Sequence, residues 1–572
     1  MKIFLTSLAT ISIVIGISIF LFRKETPAIS VSEPREIAVC GPVYASAAGL
    51  TADGKYVNAL PGWGKYSFPI STQVDSAQFY FDQGLNMYYG YHFREAVASF
   101  KESARLDPGC PMAYWGQALA MGPYYNAAHL YTKSEEICGV LKKMNETSAK
   151  ATAKEKSLIA AMNTRYSEDP ADSQRAALNA AYAASLKKSI VAFPAEEEMK
   201  VLYIDAVMLM HAWDFWKKDG TAKPWTPELV TLCEQVLKTI PKHPAALHYH
   251  IHLTEASRNP EVALGSAETL RDLLPGVAHM VHMASHEYER NGLYAKGVEV
   301  NNLADDNLVY YDLLAKNLSL NKHSPHYFAV QTYCALTAGM YKDAMRYAQR
   351  CQKSVAPTPQ ATYDQYLYMF PVMTMVRMGK WDEILTDSNQ VNSEWTYASL
   401  LSDFAKGIAS SQTGEIPAAE SYLGKLREKI NDPILTKRRI PFNSPLQVAR
   451  IAEKILEGVI YSAQKDYPKA IASLEAAVKL EDALIYTEPK DWPIPSRQFL
   501  GACLLKGGKA ALAEKVYRED LVYNPGNGWS TLGLYQSLQA QKKTKSMAVY
   551  KKKYMEAFAQ ADQVPVASVL IR

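Results

Sequence analysis

From Ser76 to about residue 560 the chain keeps one hydrophobic period, that of the α-helix, and breaks it with Pro or Gly at similar intervals. No segment alternates apolar and polar residues long enough to read as a strand. A chain of 572 residues patterned this way has no means of burying every helix in one central core. Short helices punctuated at a regular spacing bury their apolar faces against their sequence neighbours. The expected class is all-α, a solenoid of roughly ten helix-turn-helix units.

The repeat itself is visible. Ala77 to Pro108 reads AQFYFDQGLNMYYGYHFREAVASFKESARLDP, with Gly84, Ala96 and Phe100 on small, small and aromatic packing positions. The frame returns at Ala263 and Pro275, at Gly292, Tyr294 and Ala304, and at Gly339, Tyr341 and Ala344. It continues through Gly458 and Ala470, Gly501 and Ala513, and Trp529 and Gly533. This pattern resembles the tetratricopeptide repeat (TPR). The resemblance implies a right-handed superhelix whose first helices line a long concave wall, and a protein or peptide partner bound in that groove.

Histidine is concentrated where such a wall would lie. Nine of the chain's 12 histidines fall between His243 and His326. His248, His252 and Glu255 are spaced i, i+4, i+7, and His279, His282, His286 and Glu289 are spaced i, i+3, i+7, i+10; each set shares one helix face. His250 falls on the opposite face. In the TPR frame these residues, with His326 from the next unit, map onto the concave positions of three successive repeats. Neighbouring helices pack about 8–10 Å apart, so side chains from two of them can meet at one ion.

The pattern supports a transition-metal site built from His248, His252, Glu255, His279, His282, His286 and His326, of which three or four would bind. Imidazole and carboxylate without thiolate suit Zn, Cu, Fe or Mn. Glu255, Glu289 or Asp305 would orient imidazoles from behind. Two other readings stand beside it: a buried polar network, and contacts to an acidic peptide.

Ile3 to Phe22 is a run of twenty uncharged, mostly apolar residues, long enough to cross a bilayer as a helix, with Arg23 and Lys24 following. Residues 1–24 are expected to anchor the chain in a membrane, with the body facing the periplasm or cell exterior. Cleavage of the segment as a signal would instead release it to the periplasm. Residues 25–75 read as a tether and irregular lead-in, 76–560 as the solenoid and 561–572 as a tail. A net charge of +4 without a dense basic tract argues against nucleic acid as partner. Seven scattered cysteines lack CxxC spacing and read mostly as isolated buried thiols.

Other chemistry is missing from the sequence. No GxSxG elbow occurs, Lys506 to Lys509 is a turn between helices, and the HxxxH at 248–252 carries Tyr249 where a metalloprotease helix has Glu. The aromatic stretches AYWGQAL (113–119) and MHAWDFW (210–216) have helical spacing and read as core.

FPISTQVDSAQFYFDQGL, HYHIHLTEAS, HMVHMASHEYERNGLY and DWPIPSRQFLGACLL together resemble a group of exported bacterial TPR proteins. The chain departs from that group at His92-Phe93 and at Tyr124. The resemblance implies a fold and export but no reaction. The functional expectation is an exported, membrane-anchored binding protein holding a transition metal in its groove, with a metal-dependent redox or hydrolytic enzyme as the alternative.

Overall fold

The computed structural model describes residues 49–126, 131–387, 391–437 and 443–571. The apolar run from Ile3 to Phe22 lies outside them. Among the described residues no helix is long and apolar enough to cross a membrane.

The described residues form an all-α solenoid of TPR type. Antiparallel pairs follow one another from Asp75–Tyr89 with Phe93–Leu106 to Gly528–Ala540 with Thr544–Ala557. What lets the pairs stack is visible at Phe100. Its ring lies against Gly84 of its own pair, where a Cβ would stand 2.9 Å from the ring, and against Gly116 of the next pair, where the approach is closer still. Tyr517 repeats the arrangement far along the chain, wedged between Gly501 and Gly533. Both rings are fully buried, and burial of a side chain this size contributes about 2–3 kcal/mol. The small and aromatic positions of the repeat are thus one contact, a ring filling the gap that two glycines leave.

Turns inside the pairs are also conserved in geometry. Gly292, Gly339 and Gly379 end first helices with φ of 76°, 76° and 65°. A left-handed residue there reverses the chain without a steric cost to glycine.

The superhelix is wound tightly enough to meet itself. The Arg290 guanidinium donates to Glu255 O at 2.8 Å and Ser257 O at 3.1 Å, and also to Tyr523 O at 3.2 Å, more than two hundred residues away. Trp529 Nε1 donates to Thr337 O at 3.1 Å. On the other side, Tyr88 of the first pair donates its hydroxyl to Asp205 at 2.6 Å. Each turn of the superhelix therefore packs on the next, and the wall that carries the histidines is an interior surface.

Both ends of the described chain pack onto the solenoid. Val57, Leu60 and Phe68 are buried, and Leu60 N donates to Gln83 Oε1 at 2.8 Å. After the last helix, Val569 is buried and Ser568 meets the Tyr517 hydroxyl at 2.5 Å. Of the described cysteines, Cys138 is exposed and the other five are buried; all are free thiols.

Candidate metal centre

Three helices carry the imidazoles. Pro244–Thr254 begins with Pro at its first turn, capped by His243, whose side chain accepts from Ala246 N. Ala278–Arg290 follows, then Pro325–Thr337, again with Pro at the first turn. Pro at this position is pre-set for helix and forfeits only an N–H that lacks an intrahelical partner. The helices start where the sequence places them, so the i, i+4 and i, i+3, i+7 spacings become shared faces in space.

The result is two groups of three. His248, His252 and His279 offer nitrogens that all lie within 4.8 Å of one another; so do His282, His286 and His326. The two triads adjoin at His279 and His282, whose ring centres are 6.0 Å apart. His248, His252, His279, His282 and His286 are 3% exposed or less; His326 is the most accessible of the six. The sequence pattern suggested a single site with three or four ligands. The six histidines fall into two such groups, because the third repeat contributes His326 beside His282 and His286 rather than beside His248.

The outer nitrogens of three rings are held by hydrogen-bond acceptors, and that of a fourth lies beside a carboxyl. His248 Nδ1 donates to Tyr89 O at 2.7 Å, His252 Nδ1 to Glu255 Oε1 at 3.0 Å, and His282 Nδ1 to Asn301 Oδ1. Asn301 is itself oriented by its amide N–H, which donates to Gly297 O at 2.8 Å. His286 Nδ1 lies 2.9 Å from Glu488 Oε2. A carbonyl or carboxylate acceptor fixes the proton on Nδ1 and leaves a lone pair on Nε2. The Nε2 atoms of His252 and His282 are buried with no hydrogen-bond partner among the described residues. Left so, each costs about 1–3 kcal/mol. His248 Nε2 and His279 Nε2 are 3.1 Å apart.

Burial disfavours the charged form of four of the rings. It pushes His248 down to about 3, and holds His252, His279 and His282 well below the ordinary imidazole value, with the neighbouring histidines adding to the effect. Neutral imidazole is the form that binds metal.

Behind the triads lies a carboxyl pair. Glu255, His286 and Glu488 form a third close group. Burial and the Glu488 charge push Glu255 far above the carboxylate range, whereas Glu488, despite its burial, is drawn down by His286. The two carboxyls are thus pushed in opposite directions, Glu255 toward holding a proton and Glu488 toward giving one up. Since Glu255 backs His252 and Glu488 backs His286, this pair links the two triads from behind. Glu255 thus backs an imidazole of the first triad and also offers an oxygen, with His286 and Glu488, to a third group that could hold an ion.

Other predicted residues fall elsewhere. Asp305 accepts from His323 at 2.7 Å and from Arg350 at 2.5 Å, away from the triads. Glu289 is buried, and its carboxyl is pushed up to about 7 by burial, with Lys490 opposing. His250 meets Ser266 Oγ at 2.9 Å on the far face, as its phase requires. His92 pairs with Glu95 at 2.8 Å.

Several neighbours were invisible to periodicity. Tyr91 occupies the turn position that glycine holds at 292, 339 and 379, at φ 57°. A bulky residue there is strained, and the strain places its ring 4.7 Å from His248 and 5.0 Å from His279. Trp115 is core as expected. The 210–216 stretch also packs on the core, with Phe215 buried, but not as a helix: the helix ends at Met210, and Trp213, at φ 64°, turns its ring over Tyr125 at 4.9 Å and edge-on to His252 at 5.8 Å. Tyr327 stacks on His282 at 4.1 Å. Glu488 arrives from the long segment between helices Tyr467–Glu481 and Ser496–Lys506. That segment's Pro and aromatic content was a signal, but helical phasing says nothing about it.

A cleft of about 50 Å³ reaches the first triad, lined by Tyr91, His92, Glu95, His279, His323 and Tyr327 among others. This is room for a few water-sized molecules.

No protein-family profile matches the chain, and no curated protein does. Among solved structures, the human IFIT1 dimer with m7Gppp-AAAA overlaps at a TM-score of 0.33 and 13% identity, over 79% of this chain and 90% of that one. Yeast Tom70 overlaps at 0.28 and 12% identity, over 84% and 90%. Cut9-Hcn1 of the APC/C overlaps at 0.27 and 12%, over 86% and 97%. The overlaps are loose, and nothing about ligand or activity passes from those proteins to this one.

Proposed function

We propose that this protein is a transition-metal-binding helical-repeat protein whose metal centre lies inside the superhelix and is reached by a narrow cleft. One observation carries the reading: six imidazoles converge in two triads while carbonyl, carboxyl and amide acceptors hold the outer nitrogens of three of them. A polar network alone would pair the inner nitrogens too, yet two of them have no partner among the described residues. Contact with an acidic peptide fits less well, because five of the six rings are almost inaccessible.

The cleft ending at His279 favours the enzyme alternative over a purely structural metal, since a small molecule has a path to the first triad. A peptide or protein partner, proposed from the repeat fold, would lie elsewhere on the solenoid than over the buried histidines. Export rests on the Ile3 to Phe22 run alone, and with it the proposal of an anchored or secreted body outside the cytoplasm.

Elemental analysis of purified protein tests the reading. Stoichiometric metal is expected, and its loss in a His248→Ala, His282→Ala double variant that still folds. Protein that stays metal-free after dialysis against Zn, Cu, Fe and Mn salts would end the proposal.

A further inference from the structure

We propose that each triad takes one copper(I) ion, giving a pair of monovalent ions side by side in the interior. The inference rests on the metal-binding reading above and adds number, oxidation state and element.

The number follows from geometry. Ligands sharing an ion at about 2.0 Å stand roughly 3.3–3.5 Å from one another. Nitrogens already within 4.8 Å need only small side-chain movements to reach that spacing, and His248 and His279 are there at 3.1 Å. The two sets of three share no histidine, so one ion does not satisfy both.

The oxidation state follows from charge and walls. Each triad is made of imidazoles alone, and His286 of the second also stands with the carboxyls of Glu255 and Glu488. The surroundings are aromatic: Tyr91 and Trp213 on the first triad, Tyr327 on the second. An isolated charge is costly in such surroundings. Repulsion between two ions scales with the product of their charges, so two dications at a given spacing repel about four times as strongly as two monocations. The contact of the triads at His279 and His282 forces a short spacing. Three imidazoles and a single positive charge suit copper(I), copper being among the metals that imidazole binds.

The test is anaerobic titration of the full chain with copper(I) against bicinchoninate as competing chelator. Two equivalents are expected, falling to one in His252→Gln and to one in His326→Gln, with circular dichroism confirming the fold. X-ray absorption at the copper edge on the unaltered, loaded chain should report three nitrogen neighbours per ion, a result independent of any variant. Uptake of a single equivalent, or of two zinc(II) ions without preference for copper(I), would overturn the proposal while leaving the metal-binding reading intact. Failure to bind any metal would remove both.

Discussion

His248 Nε2 and His279 Nε2 stand 3.1 Å apart on helices of successive repeats, and the first of them is held in place from behind by the Tyr89 carbonyl. Three turns of backbone, one from the first pair and two from the middle of the chain, thus meet at a single pair of nitrogens. The contact explains why the histidines lie so far from the surface: the acceptor that fixes one ring comes from a different turn of the superhelix.

Metal should therefore bind only the wound state and raise its melting temperature. At a free metal concentration a thousand times the dissociation constant, the gain is about 4 kcal/mol. His279→Ala removes one ligand of the first triad, and the metal-dependent rise is expected to shrink accordingly. Differential scanning fluorimetry with and without excess metal reads this directly. A melting temperature indifferent to metal in the unaltered protein would contradict it.

Asn301 offers a subtler probe, because it touches no ion. Its carbonyl accepts from His282 Nδ1, and its own amide donates to Gly297 O. Asn301→Ala frees the ring to rotate or change tautomer, which costs metal sites about 10–100-fold in affinity. Competition titration should show that loss at the second triad, with the first triad's affinity unchanged. Equal weakening of both would mean that the variant loosened the fold instead.

The fold was legible because its two signals, helical period and a glycine-to-aromatic spacing, are local. Gly84 with Phe100 and Gly501 with its repeat needed no knowledge of distant residues. The histidine faces were legible for the same reason: His248 with His252, and His279 with His282 and His286, each lie within one helix. Their division into two triads was not, since it depends on how far the third repeat is rotated relative to the second. Nor were the supports. Tyr89 contributes only a backbone oxygen, which has no residue signature, and Glu488 reaches the centre because the superhelix closes on itself. Trp213 misled because helical spacing in a sequence does not show where the helix stops.

Glycine substitutions separate close approach from mere flexibility. Gly533 lies against the Tyr517 ring, so an added methyl has no room. Gly533→Ala should destabilise by about 1–3 kcal/mol, the usual cost of overpacking a filled core. Gly424 sits within helix Ile416–Lys429 with nothing within 4 Å of its would-be Cβ. Gly424→Ala should stabilise by up to about 1 kcal/mol, the difference in helix propensity. Chemical unfolding of both variants tests the pair, and a Gly533→Ala protein as stable as its parent would deny Tyr517 its wedge role.

Stability should also decline with rising pH through Glu481. This carboxyl is half-buried at the end of helix Tyr467–Glu481, where it accepts from Ser496 N at 2.6 Å. Burial pushes it up from 4.5 to about 7, with the Asp520 charge adding to the rise and Lys490 opposing it. The folded state therefore holds its proton more tightly than the unfolded chain. That contribution is fully present below pH 4.5 and is lost as pH rises through 7, a change of about 3 kcal/mol across the window. Glu481→Gln stays neutral throughout and keeps an oxygen for Ser496. Urea unfolding at pH 5 and pH 8 should show the variant gaining on its parent at the higher pH. Parallel curves for the two proteins would place the ionised carboxylate comfortably in the fold and refute the prediction.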